Sequence, residues 1–186
     1  MSHILIVAAT DRELCGSDGL VSGVGPVEAA TSTARALALR PFAAVLHVGL
    51  AGARGLAPGS LVIGSEAVYC DLSAQWPVVD RTPADVRLVE AVRAALPDAT
   101  AVPVYTSAAV GGACATVSDR VLVEAMEGFG VLRAAERAGV PAVEVRAVSN
   151  EVGEADRSRW DVAGALGALE RALPVMVDAV LRTVVR

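Results

Sequence analysis

The sequence has 186 residues, of which 54% are hydrophobic, 20% charged and 3% aromatic, and its formal net charge is −5. That length suits one domain with a substantial core, and the apolar content excludes an extended disordered chain. The acidic balance argues against a nucleic-acid binder or a protein drawn to anionic membranes.

In chain order, Ile4-Leu5-Ile6-Val7-Ala8-Ala9 is an unbroken apolar run, as expected of a strand covered on both faces. Thr10-Asp11-Arg12-Glu13 follows at its carboxyl end, where open α/β sheets bind ligands. Gly23-Val24-Gly25-Pro26 reads as a turn into an Ala-rich helix over 27–39, with the proline near its first turn. A second buried strand over 43–48 is expected to end at Gly49-Leu50-Ala51-Gly52, and a third spans 61–68. Residues 70–82 read as a loop, and 83–96 as an amphipathic helix with Val86, Val89, Val92 and Leu96 on one face. A strand over 102–105 leads to Ser107 and the small-residue loop Val110-Gly111-Gly112-Ala113. A short strand over 122–125, a helix over 128–138 and a strand over 143–148 that ends in Ser149-Asn150 come next. The chain closes with a long helix over 160–185, expected to kink or restart at Pro174. Alternating strands and helices without a linker predict one three-layer α/β domain over 1–186, with a largely parallel sheet.

All 16 basic residues are Arg, which excludes a Schiff-base lysine and a P-loop lysine. With only His3 and His47, a His-rich metal centre is not expected, and neither metal nor cofactor is assigned. Cys15, Cys70 and Cys114 form no CxxC pair and read as free thiols of a reducing cytoplasm. The N-terminus lacks a signal-peptide pattern, and Glu170, Arg171, Asp178 and Arg182 interrupt the last apolar segment, so a cytoplasmic protein without membrane contact is expected. Chemistry then falls to carboxylates, Arg and amides at strand ends: Glu13, Glu127, Arg146 and Asn150. Two carboxylates, one Arg and one amide facing a Gly-rich turn suit cleavage of a sugar bond, whose oxocarbenium-like transition state gains from negative charge and a base-activated water. Taken singly, each Glu reads more readily as a surface residue than as a catalyst, and Arg146 by default as a structural ion-pair partner.

Four segments occur in order: Gly23-Val24-Gly25-Pro26-Val27-Glu28-Ala29-Ala30, Gly49-Leu50-Ala51-Gly52, Glu124-Ala125-Met126-Glu127-Gly128-Phe129 and Arg146-Ala147-Val148-Ser149-Asn150. Together they resemble the nucleoside phosphorylase/nucleosidase superfamily, which includes the methylthioadenosine/S-adenosylhomocysteine nucleosidases. The continuation from Ser149 through Arg157, with Trp160-Asp161, is most similar to the futalosine hydrolases of menaquinone biosynthesis. The resemblance implies a phosphorylase/hydrolase-like α/β/α domain with a central mixed sheet, acting as a nucleosidase on a purine nucleoside and assembling as a homodimer or higher homo-oligomer.

It also implies roles. Glu13 matches the carboxylate that activates water, and Glu127 the one that grips the ribose hydroxyls. Met126 packs on the sugar and Arg146 lies beside it, while Leu50, Gly52, Val110 and Gly111 complete the substrate-binding set. Asn150 stands where adenine-specific relatives carry an aspartate. An Asn cannot donate an acidic proton, but its amide suits a 6-oxopurine, whose N7 and O6 both accept; futalosine carries hypoxanthine. The other reading of Asn150 is a cap on the strand-to-loop turn. Hydrolysis is expected over phosphorolysis, because Ala9-Thr10-Asp11-Arg12-Glu13 stands where phosphorylases carry a Gly-Asp-Pro-x-Arg type loop, and its carboxylates would repel phosphate. Only residues 14–22 separate Glu13 from Gly23, fewer than the relatives imply, which keeps a catalytically weak purine-nucleoside binder as an alternative beside a methylthioadenosine/S-adenosylhomocysteine nucleosidase. Tyr69, Trp76 and Leu50 are candidates to line the pocket for the ribose 5′ substituent.

Overall fold

The computed structural model describes residues 3–72, 74–109 and 118–185. The expected substrate contacts Val110 and Gly111 lie outside these residues. Eight strands are described: β1 (Ile4–Ala8), β2 (Leu20–Val21), β3 (Ala44–Arg54), β4 (Leu61–Tyr69), β5 (Arg81–Pro83), β6 (Thr100–Thr106), β7 (Leu122–Ala125) and β8 (Ala142–Glu151). Four α-helices accompany them: α1 (Pro26–Leu39), α2 (Val86–Ala95), α3 (Gly128–Arg137) and α4 (Val162–Val184).

The sheet is mixed, as the resemblance implied, with five parallel and three antiparallel strand pairs among the described residues. β1 runs parallel to β2 and β3, and β3 parallel to β8, whereas β4 is antiparallel to β8, and β7 to β3. With β4 parallel to β6 and β6 to β7, strands β3, β8, β4, β6 and β7 close into a ring. The long β3 makes closure possible, because it pairs β8 through Val45–Ala53 and β7 through Gly52–Arg54. Gly49 to Gly52 therefore lie inside β3; the expected strand end there is corrected, since β8 pairs along the whole stretch and β7 joins at Gly52.

Side-chain alternation along these apolar strands builds the three layers. Ile6 and Ala8 of β1 join Leu46, Val145, Leu88 of α2 and Leu169 of α4 in one core, while Leu5 and Val7 join Ala29 of α1 and Val131 of α3 in another. A third cluster of Ala51, Ala53, Val62, Val104, Val123 and Val148 comes from the strands of the ring. The long segments match the sequence-based expectations. The predicted loop over 70–82 contains the start of β5, which pairs with β4, and α4 continues through Pro174 without a break in its assignment. Cys15 is free, but Cys70 is disulfide-bonded, which corrects the expectation of free thiols throughout. No described helix is long and apolar enough to cross a membrane.

Candidate active site

A cavity of about 360 Å³ lies where β1, β3, β7 and β8 end, and Glu13, Leu50, Gly52, Met126, Glu127 and Asn150 all line it. The first strand delivers Glu13 through a short 3-10 helix, Asp11–Leu14, that turns its carboxylate inward. Glu13 is 8% exposed, and each oxygen has its own donors. Thr10 donates to Oε2 from its N–H over 3.0 Å and its hydroxyl over 2.7 Å, and the Leu50 N–H donates to Oε1 over 3.0 Å. The short run between Glu13 and Gly23 thus does not displace this carboxylate from the cavity.

Glu127 precedes α3 and is also buried. Its Oε1 accepts the Gly25 N–H over 3.0 Å, and its Oε2 lies 3.3 Å from Arg146 Nη1. Gly25 holds φ at +99°, a conformation that favours glycine, so the Gly-x-Gly-Pro turn orients Glu127 as well as starting α1. Arg146 does not line the cavity; it lies wholly buried behind Glu127 and also donates from Nη1 to Leu50 O over 3.3 Å. The Leu50 backbone thereby links Glu13, through its N–H, to Arg146 and its partner Glu127, through its C=O. A Cβ at Gly49 would meet both the Arg146 guanidinium and Glu13 Oε1, so the close passage of these groups requires glycine.

Asn150 reaches the cavity beside an irregularity in the β3–β8 pairing: Ala51 faces Val148 and Gly52 faces Asn150, leaving Ser149 as an extra residue. The Ser149 hydroxyl donates to Asn150 Oδ1 over 2.7 Å, and Nδ2 donates to Glu151 O over 2.9 Å. One N–H of the amide is left over. Tyr69 stacks on Phe129 at 5.3 Å and Trp76 is 70% exposed; neither lines the cavity, so both are corrected as pocket candidates. Trp160 and Arg157 line it instead, with the guanidinium over the indole ring.

Sequence reasoning gave no role to His47 and Glu144. Arg146 Nε donates to Glu144 Oε1 over 2.7 Å, and Nη2 bonds His47 Nε2. Burial, and then Arg146, push His47 well below its ordinary range, so the ring is neutral, with Nδ1–H donating to Val7 O and Nε2 accepting. Burial works against the charge on Arg146, but Glu144 and Glu127 outweigh it and hold the guanidinium above its ordinary range. The one available signal was Glu144-Val145-Arg146, two opposite charges on one face of the otherwise apolar run from Ala142 to Val148. Among the described residues, no cluster of His, Cys, Asp and Glu is arranged to hold a metal ion.

The phosphorylase superfamily model matches residues 19–184. The chain is 40% identical over 183 residues to a futalosine hydrolase of Streptomyces coelicolor, covering 85% of this chain and 77% of that protein. It is 37% identical over 191 residues to a futalosine hydrolase of Acidothermus cellulolyticus, covering 91% and 78%. Among solved structures, a methylthioadenosine/S-adenosylhomocysteine nucleosidase from Neisseria meningitidis aligns at TM-score 0.83 with 20% identity, covering 95% of this chain and 99% of the other. A futalosine hydrolase of Helicobacter pylori aligns at TM-score 0.84 with 18% identity, covering 95% and 97%. At such identities the structural matches speak for the fold alone. The family match, together with the two relatives at 37–40% identity, shows that this chain belongs to the phosphorylase superfamily.

Proposed function

We propose that this protein hydrolyses the N-glycosidic bond of futalosine and releases hypoxanthine, a step of menaquinone biosynthesis in the cytoplasm. The observation that carries the reading is one cavity lined by two separately anchored carboxylates, Glu13 and Glu127, and by an amide with a donor to spare, Asn150. Glu13 accepts a proton from the attacking water as its oxygen bonds to C1′ of the ribose. Glu127 accepts from the ribose hydroxyls and sets its charge against the cation developing on the ring. Met126 packs against the sugar. The remaining Asn150 N–H donates to N7 or O6 of hypoxanthine and stabilises the base as it leaves with the bonding electrons.

Water is favoured over phosphate because Arg146, the buried guanidinium beside this cavity, is already engaged by Glu127, Glu144 and His47. Of the other charged groups that line the cavity, Arg157 lies over the Trp160 indole, while Glu13 and Glu127 would repel a phosphate dianion. In water enriched in oxygen-18, the label is expected in the ribosyl product, at a rate indifferent to added phosphate. A phosphate-dependent rate that yields a ribosyl 1-phosphate would overturn hydrolysis.

A further inference from the structure

Arg146 forms its tighter ion pair away from the cavity. The contact with Glu144 is 2.7 Å, against 3.3 Å to Glu127. Glu144 lies two residues before Arg146 on β8, so both side chains share one face of the strand, and both are wholly buried. Glu144 does not line the cavity. Its Oε1 is bonded to Arg146, but its Oε2 has no hydrogen-bond partner among the described residues. The backbone makes room for this group: a Cβ at Gly128, the residue after Glu127, would collide with the Glu144 carboxylate. Burial pushes the Glu144 carboxyl up, against the pull of Arg146. A half-satisfied buried carboxylate is a poor source of stability.

Its position suggests what it does instead. Three carboxylates, Glu13, Glu127 and Glu144, stand around the single Arg146 guanidinium, and the neutral His47 takes Nη2 without adding charge. Without Glu144, the full cation of Arg146 would be set against Glu127. A carboxylate paired with an uncompensated guanidinium presents a dipole to the ribose ring, not a negative charge.

We propose that Glu144 is a positioning residue for glycosidic-bond cleavage: it holds the Nε edge of Arg146 and offsets its charge, so that Arg146 orients Glu127 without neutralising it. The proposal rests on the hydrolase reading above. It makes Glu144 an electrostatic partner of the transition state that never touches substrate.

Glu144→Gln tests it, because the amide oxygen can still accept from Arg146 Nε while the charge is gone. The readouts are kcat and KM for futalosine, together with affinities for inosine and for a purine iminoribitol, a ligand cationic where the ribosyl cation forms. Turnover is expected to fall about ten- to a hundredfold with KM changed by less than about threefold. Iminoribitol affinity should fall in step while inosine affinity holds, and Glu144→Asp, which keeps the charge, should restore most of kcat. Parental kcat and iminoribitol affinity in Glu144→Gln would overturn the proposal, as would equal losses for the cationic and neutral ligands. If Glu144→Gln does not fold, Glu144→Asp decides, and a collapse of its kcat contradicts the charge role. A parent protein that releases no base contradicts the hydrolase reading separately, and the comparison of the two ligands still judges Glu144.

Discussion

Glu127 is the residue at which the loss of one charge should be felt most directly in the chemistry. Glu127→Gln can keep its bond from the Gly25 N–H, so the fold should survive, yet the amide cannot oppose the ribosyl cation. Turnover is expected to drop by a few hundredfold, about 3–4 kcal/mol, in a protein that still folds but melts at a lower temperature, because the buried ion pair with Arg146 is lost. Hypoxanthine release at the parental rate would remove Glu127 from the mechanism. Asn150→Asp should move specificity from 6-oxopurine toward adenine nucleosides, read as the ratio of kcat/KM for the two classes. A carboxylate there would face both the base acceptors and the Glu151 carbonyl that now receives Nδ2–H. The expected penalty for the 6-oxopurine is about 1–3 kcal/mol, and an unchanged ratio would show that residue 150 does not touch the base. Glu13, Glu127 and Asn150 were legible as candidates because each sits in a short motif at or just after the end of an expected strand, and all three line the cavity. His47 and Glu144 were not, because their meeting depends on the β3–β8 register, which sets His47 opposite Glu144.

Among the elements, α4 closes the layer over β3 and β8 and begins one residue after Asp161. The Asp161 side chain accepts the Gly164 N–H over 2.9 Å, satisfying a donor that the first turn of the helix leaves open. Asp161→Ala should cost about 0.5–2 kcal/mol in denaturant unfolding; a midpoint unmoved from the parent would show that the cap adds nothing. Long elements with clear periodicity, such as α1, α2 and β4, were legible for the same reason that they are stable: one pattern decides their whole length. The continuation of β3 through Gly49 to Gly52 was not, because glycine-rich sequence reads locally as a turn. Pairing with β8 along the stretch, joined by β7 from Gly52, overrides that tendency. β2 and β5, at two and three residues, are too short to carry a period at all.

At the scale of the whole molecule, Val21, Val24 and Val27 are exposed along the β2–α1 segment, and Val24 also lines the cavity. We propose that this exposed apolar segment, of which Val24 lines the cavity, is covered by a second copy of the chain. Light scattering is expected to give twice the chain mass at micromolar concentration, and a monomer mass across a wide concentration range would contradict it. The α/β/α layering was legible from alternation alone. The closed ring was not, because it depends on β3 pairing with two strands at once. What the assembled cavity is for can be measured most directly on the parent protein, in phosphate-free buffer, with futalosine and methylthioadenosine as competing substrates. Hypoxanthine should appear from futalosine with kcat/KM about a hundredfold or more above that for adenine release, the margin that a misplaced hydrogen-bond donor and acceptor can supply. Adenine released with equal or greater efficiency, or no base from either nucleoside, would contradict the account.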